Sequence, residues 1–209
     1  MSQRQDPAAV DDEPTDFPAP AEMPKPELRR ALLAALKPER DFWVFAYGSL
    51  MWNPGFAFRG RSEATLYGYH RRMCMYSHHY RGTPEHPGLV LGLDRGGSCR
   101  GIAYRIAGAD GDAVVDYLWR REMVSGAYDP RFVRVLTNGG RRHAHTFVVD
   151  RNHEQYAGGL TSAETVALIR QGLGARGSCT DYLAATVAHL DELGIPDRAL
   201  HQLLKLARR

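Results

Sequence analysis

Phe42-Trp43-Val44-Phe45-Ala46-Tyr47-Gly48-Ser49-Leu50 is an apolar run, rich in aromatic side chains, that stops abruptly at a glycine followed by a hydroxyl residue. Six consecutive apolar positions without a polar alternation read as a strand buried on both faces. The domain proper is expected to begin here. Gly48 lets the backbone turn and lets a ligand come close, so successive N–H groups of Gly48-Ser49-Leu50 can point at a carboxylate or a developing oxyanion. On these letters alone the stretch is equally an ordinary strand-ending turn. Ser49 lies in no G-x-S-x-G elbow and has no histidine at a recognisable spacing, which leaves a nucleophilic role without support.

Outward from this strand, further strand-like segments fall at residues 65–70, 73–77, 89–93 and 99–106. Asp94-Arg95-Gly96-Gly97-Ser98 is expected to be a hairpin turn, because paired glycines supply positive φ. Asn138-Gly139-Gly140 gives the same signal between runs at 132–136 and 143–149. Helical spacing covers 112–123, 163–171, 180–193 and 196–206, with Gly194 and Pro196 punctuating the last two. Strands dominate the first two thirds and helices the last. That order predicts an α+β fold, a mixed and mainly antiparallel sheet with flanking helices, rather than a doubly wound parallel sheet.

Upstream, six of the twelve prolines fall between Pro7 and Pro26, interleaved with acids and alanines. Such a composition buries too little apolar surface to offset its ordering entropy. Residues 1–24 are therefore expected to be a flexible tail, and 25–209 one domain, entered by a short amphipathic helix carrying Leu28, Leu32 and Leu36. Residues 1–27 hold seven acidic and two basic residues, a net −5, so the formal +3 of the whole chain leaves +8 on the remainder. A basic body attracts small carboxylates and nucleic acids alike. No run of about 18 apolar residues exists, and the N-terminus lacks an apolar signal region, so a cytoplasmic location away from membranes is expected. Cys74, Cys99 and Cys179 lack C-x-x-C spacing and read as reduced thiols.

The second candidate for chemistry is Glu122. Counting back by three and four gives Leu118 or Trp119 and then Val115, which puts this carboxylate on the apolar face of its own helix. Desolvation there would move its proton affinity toward the range useful to a general base. The alternative is a salt bridge to a neighbouring arginine. Asp116 falls on the other face and is expected to be solvated. Among nine histidines, His78-His79 and His143-x-His145 nominate no third ligand, so no metal site is expected. Walker and dinucleotide fingerprints are absent.

Five blocks, in order, resemble the ChaC-type γ-glutamylcyclotransferases over about residues 44–204. They are Phe45-Ala46-Tyr47-Gly48-Ser49-Leu50-Met51-Trp52-Asn53-Pro54; Gly68-Tyr69-His70-Arg71-Arg72 with Tyr80-Arg81-Gly82-Thr83-Pro84; Leu93-Asp94-Arg95-Gly96-Gly97-Ser98-Cys99-Arg100-Gly101; Arg121-Glu122-Met123-Val124-Ser125-Gly126-Ala127-Tyr128; and Gly177-Ser178-Cys179-Thr180-Asp181-Tyr182-Leu183. Ala127 stands where the family often carries glycine. The resemblance implies a small antiparallel barrel and a lyase that cyclises the γ-glutamyl group of glutathione, releasing 5-oxoproline and cysteinylglycine without metal or cofactor. It makes Glu122 the general base and then acid, and implies substrate binding by Gly48, Ser49 and Leu50 amides, with Tyr47, Arg72 and Tyr182 completing the pocket. A small-molecule substrate is expected, with no nucleic-acid or membrane partner and no particular oligomeric state. Two alternatives share the fold: a cyclotransferase for other γ-glutamyl amines or amino acids, and an inactive binding module.

Overall fold

The computed structural model describes residues 23–209. The tail expected for 1–24 lies outside the described residues as far as residue 22. Its last two residues are not tail-like: Met23 is buried, and the Pro24 carbonyl accepts a hydrogen bond from Trp119 Nε1 at 3.2 Å. Lys25 Nζ then reaches Asp129 at 2.7 Å and Asp150 at 3.0 Å. These contacts fasten the chain ahead of helix α1 (Pro26–Ala35).

Five strands, β1 (Phe42–Ala46), β2 (Gly60–Ser77), β3 (Gly88–Ile106), β4 (Tyr128–Thr137) and β5 (Gly140–Val149), close a barrel in the order β1-β3-β2-β4-β5. Neighbours are antiparallel, and the closure is a parallel contact of β1 with β5 at Val44 and His145. The barrel interior holds Phe45 and Tyr47 with Leu66, Leu93, Val135 and Val148. Val44 and Ala46, one residue out of phase, face instead the core shared with α2 (Gly111–Glu122), α3 (Ser162–Gln171) and α4 (Cys179–Glu192). With both faces of β1 covered, its sequence has no reason to alternate. After α3, a small hairpin of β6 (Leu173–Gly174) and β7 (Gly177–Ser178) precedes α4, and α5 (Arg198–Ala207) ends the fold.

The two-residue turn Asn138-Gly139 joins β4 to β5 as expected. The turn expected at residues 94–98 is absent. Those residues lie inside β3, which runs unbroken opposite β2 through the pairs Tyr67–Ser98 and Tyr69–Arg95. Between these pairs β2 spends one residue, Gly68, and β3 spends two, Gly96 and Gly97, all three at positive φ. The glycines therefore make a β-bulge, which demands the same backbone conformations as a tight turn. The true connection of β2 to β3 is the loop 78–87. Asp116, expected to be solvated, pairs with Arg29 and ties α1 to α2.

One buried polar group gives a pH signature. His145 is 2% exposed, and neither ring nitrogen has a hydrogen-bond partner among the described residues. Burial pushes its pKa from 6.5 down to about 4. Between those values the unfolded chain takes up a proton that the folded chain refuses, so stability falls as pH drops through this window, by about 3 kcal/mol at most from this group. His145→Leu should remove that component. Urea midpoints at pH 7 and 4.5 check it: wild type should lose more on acidification than the variant, and equal losses would refute the assignment.

Candidate active site

Past β1 the chain passes through Tyr47 and Gly48 into a single 3₁₀ turn, Ser49–Met51. Its bonds are donated by Met51 N–H to the Gly48 carbonyl at 2.9 Å and by Trp52 N–H to the Ser49 carbonyl at 3.2 Å. The N–H groups of Ser49 and Leu50 precede this ladder and have no partner within the turn. Gly48 sits at φ −128°, not in the left-handed region. Its role is space: a Cβ there would meet only Leu91 Cδ1, at 4.0 Å, and would otherwise project into open volume.

Helix α2 delivers Glu122 to the same place. Val115, Leu118 and Trp119 bury one face of the helix, and Met123, also buried, stops it by donating its N–H to the Trp119 carbonyl at 2.9 Å. Glu122 is the last helical residue, its side chain 19% exposed, with Oε1 3.4 Å from Arg121 Nε. Arg121 is the staple of the site. Its Nη1 donates to Tyr117 Oη at 2.7 Å and to the Asn53 carbonyl at 2.9 Å, and Nη2 donates to Ser49 Oγ at 2.8 Å. Loop and helix, 72 positions apart at Ser49 and Arg121, are thus held in register.

Between them lies a cavity of about 100 Å³ lined by Tyr47, Gly48, Ser49, Leu50 and Glu122 together with Val90, Leu91, Tyr128, Thr146 and Tyr182. Glu122 is the sole carboxylate among its described lining residues. Tyr128 Oη donates to the Leu91 carbonyl at 2.8 Å, whereas Tyr182 Oη accepts from Leu91 N–H at 3.3 Å. The two phenols are therefore poised oppositely: Tyr128 presents lone pairs to the cavity, and Tyr182 retains a proton to donate. Burial, followed by repulsion from the neighbouring acidic groups, pushes Tyr47 and Tyr128 well above the usual phenol value. Burial likewise takes Tyr182 to about 12. All three stay protonated at neutral pH, which excludes them as bases.

Arg72 does not join this cavity. It is half-buried beside Asp94, at 3.5 Å, in a cluster completed by Arg151 and Tyr156. Adjacent strand residues face opposite ways, and of the pair it is Arg71 that turns inward, where its Nε donates to the Tyr47 carbonyl and supports the loop from behind. Sequence reasoning missed Arg71, Arg121, Tyr128 and Thr146 as contributors. Arg121 and Tyr128 stand within the same block as Glu122, which was the available signal.

The loop after β1 and the end of α2 thus share one small cavity with a single carboxylate among its described lining residues. The chain belongs to the ChaC-like protein family, whose model matches residues 42–209. The glutathione-specific gamma-glutamylcyclotransferase of Escherichia coli (strain K12) is 35% identical over 175 residues, covering 83% of this chain and 76% of that protein. The glutathione-specific gamma-glutamylcyclotransferase 1 of Danio rerio is 29% identical, covering 75% and 82% respectively. Among solved structures, a yeast gamma-glutamyl cyclotransferase specific to glutathione superposes with a TM-score of 0.71 over 80% of this chain and 96% of that one. At 24% identity that match establishes the shared fold.

Proposed function

We propose that this chain is a glutathione-directed γ-glutamylcyclotransferase, and the observation that carries the reading is the single cavity shared by Tyr47-Gly48-Ser49-Leu50 and Glu122. The substrate's α-ammonium gives a proton to the Glu122 carboxylate. The freed amine attacks its own side-chain γ-carbonyl carbon, closing a five-membered lactam, while the N–H groups of Ser49 and Leu50 face the oxygen that becomes negative. Glu122 returns that proton to the departing nitrogen as the amide C–N bond breaks, then takes the second proton from the ring nitrogen and passes it to the released amine, which leaves as an ammonium. The products are 5-oxoproline and cysteinylglycine. Because ring closure is intramolecular, holding the attacking conformer supplies most of the acceleration, with effective molarities of roughly 10⁵ M or more for well-oriented cases. Tyr128 lone pairs suit the ammonium, and the Tyr182 hydroxyl suits the α-carboxylate. Arg72 is replaced in this scheme by Tyr128.

No helix among the described residues is long and apolar enough to cross a membrane. Cys74, Cys99 and Cys179 are buried free thiols, and burial raises Cys74 to about 12 and Cys179 to about 11. Unpaired thiols suit a reducing compartment, and we place the reaction in the cytoplasm.

Purified protein incubated with glutathione should release 5-oxoproline and cysteinylglycine in equal amounts. γ-Glutamyl-alanine should be turned over at least about tenfold less efficiently, a discrimination within reach of one lost charged contact. Absence of 5-oxoproline from glutathione would end this reading, and preference for the simpler substrate would reassign it to γ-glutamyl amino acids.

A further inference from the structure

Glu122, Ser49, Val90 and Tyr128 line two cavities at once. Inside is the chamber of about 100 Å³, and outside is an open cleft of about 460 Å³. In the proposed reaction, on which this inference rests, the group that protonates the departing amine must stand where the γ-glutamyl half ends and the leaving peptide begins. Glu122 stands at that boundary. With the γ-glutamyl half in the inner chamber, the leaving peptide occupies the cleft.

The outer wall of that cleft is built from the loop after β2 and the β6–β7 hairpin. Ala175 N–H donates to the His79 carbonyl at 2.9 Å, and Arg176 N–H donates to the Tyr80 carbonyl at 3.0 Å. Arg81 clamps the hairpin from the other side by donating through Nη1 to the Arg176 carbonyl, and its guanidinium lies 5.1 Å from the Tyr182 ring centre. The seam is tight at Gly174, where a Cβ would come within 2.4 Å of the His79 carbonyl oxygen. On this fixed turn the Arg176 guanidinium stacks 4.9 Å over the Tyr80 ring and lines the cleft.

The cleft's only carboxylate among its described lining residues is Glu122, at the inner end. Its other guanidinium, Arg121, lies at that inner end too, where it donates to Ser49 Oγ, the Asn53 carbonyl and Tyr117 Oη. A dipeptide extends its terminal carboxylate roughly 7 Å beyond the scissile amide, away from Glu122 and toward the outer wall. A guanidinium already oriented by an aromatic face loses little freedom on pairing with such a carboxylate. We propose that Arg176 pairs with the C-terminal carboxylate of the leaving peptide, which makes it a specificity-determining residue that selects γ-glutamyl peptides ending in a free acid two residues beyond the scissile bond.

Steady-state kinetics with glutathione and with its C-terminal amide test this. Arg176→Met, which keeps a long apolar stem on Tyr80 without charge, should raise KM for glutathione roughly tenfold or more, as expected for a lost charge-assisted contact, with kcat changed less than about twofold. Wild type should show a similarly raised KM with the amide, and the substitution should add nothing further there. Arg176→Lys should recover part of the loss, which simple disruption of the hairpin would not permit. The inference falls if wild type turns over acid and amide equally well, or if Arg176→Met leaves KM for glutathione unchanged. If wild type yields no 5-oxoproline from either compound, the proposed reaction itself falls and this inference with it.

Discussion

Glu122→Gln should lower kcat for 5-oxoproline formation from glutathione by roughly 10³- to 10⁴-fold, the upper part of the range for a single positioned acid–base group. Glutamine keeps the shape of the side chain but can neither take the ammonium proton nor return it to the leaving amine. Nothing else in the lining can replace it, because the three buried phenols hold their protons far above neutral pH. The site around the substitution should survive. Arg121 fixes the loop through Ser49 and Asn53, and the Leu91 contacts of Tyr128 and Tyr182 do not involve position 122. KM should therefore stay within a few-fold of wild type, since the lost interaction belongs to the transition state. The residual rate should still exceed the solution reaction, because the chamber goes on holding the attacking conformer. A variant with wild-type kcat would remove Glu122 from the chemistry.

The largest effect on stability is expected at Trp119, whose side chain has no solvent exposure. Its ring meets Phe147 of β5 edge-on, with centroids 6.3 Å apart, and its Nε1 holds the Pro24 carbonyl at 3.2 Å. Trp119→Ala empties the contact between α2 and the barrel and should cost about 3–5 kcal/mol. Against a total stability of about 5–15 kcal/mol, that is a large share. For a chain of this size the melting temperature should fall by roughly 6–20 °C. Because Phe147 also lines the chamber and Glu122 follows Trp119 by just under one helical turn, activity should decline well below the new melting temperature. Thermal unfolding followed by circular dichroism checks this, and a shift under about 2 °C would show that α2 is not anchored here.

The parts of this molecule that could be read from its sequence are those whose signal is local. Val44, Phe45 and Ala46 advertise a strand covered on both faces, and the spacing of Val115, Leu118 and Trp119 is enough to place Glu122 on a buried helix face. Gly96-Gly97 misleads for an equally physical reason. Positive-φ glycines serve a turn and a bulge alike, and the choice belongs to the partner strand, where Gly68 stands opposite. Arg71 and Arg72 pose a similar choice: one of two neighbours on a strand must face inward, and only the closed barrel says which. Tyr128 shares a sequence block with Glu122, but its spacing does not say that it turns into the same cavity. The meeting of loop and Glu122 had no local signal at all, and came into view through the ordered resemblance of distant blocks.

The sharpest measurement is an isotope test of how the γ-glutamyl bond is broken. Wild-type protein should be incubated with glutathione in water enriched in oxygen-18, and the products separated by mass. Attack by the substrate's own amine uses no water, so the expected products are unlabelled 5-oxoproline and an equal amount of cysteinylglycine, both falling together in Glu122→Gln. Free glutamate with the heavy isotope in its side-chain carboxylate would mean that water is the nucleophile, and would contradict cyclisation at the Tyr47-Gly48-Ser49-Leu50 and Glu122 site.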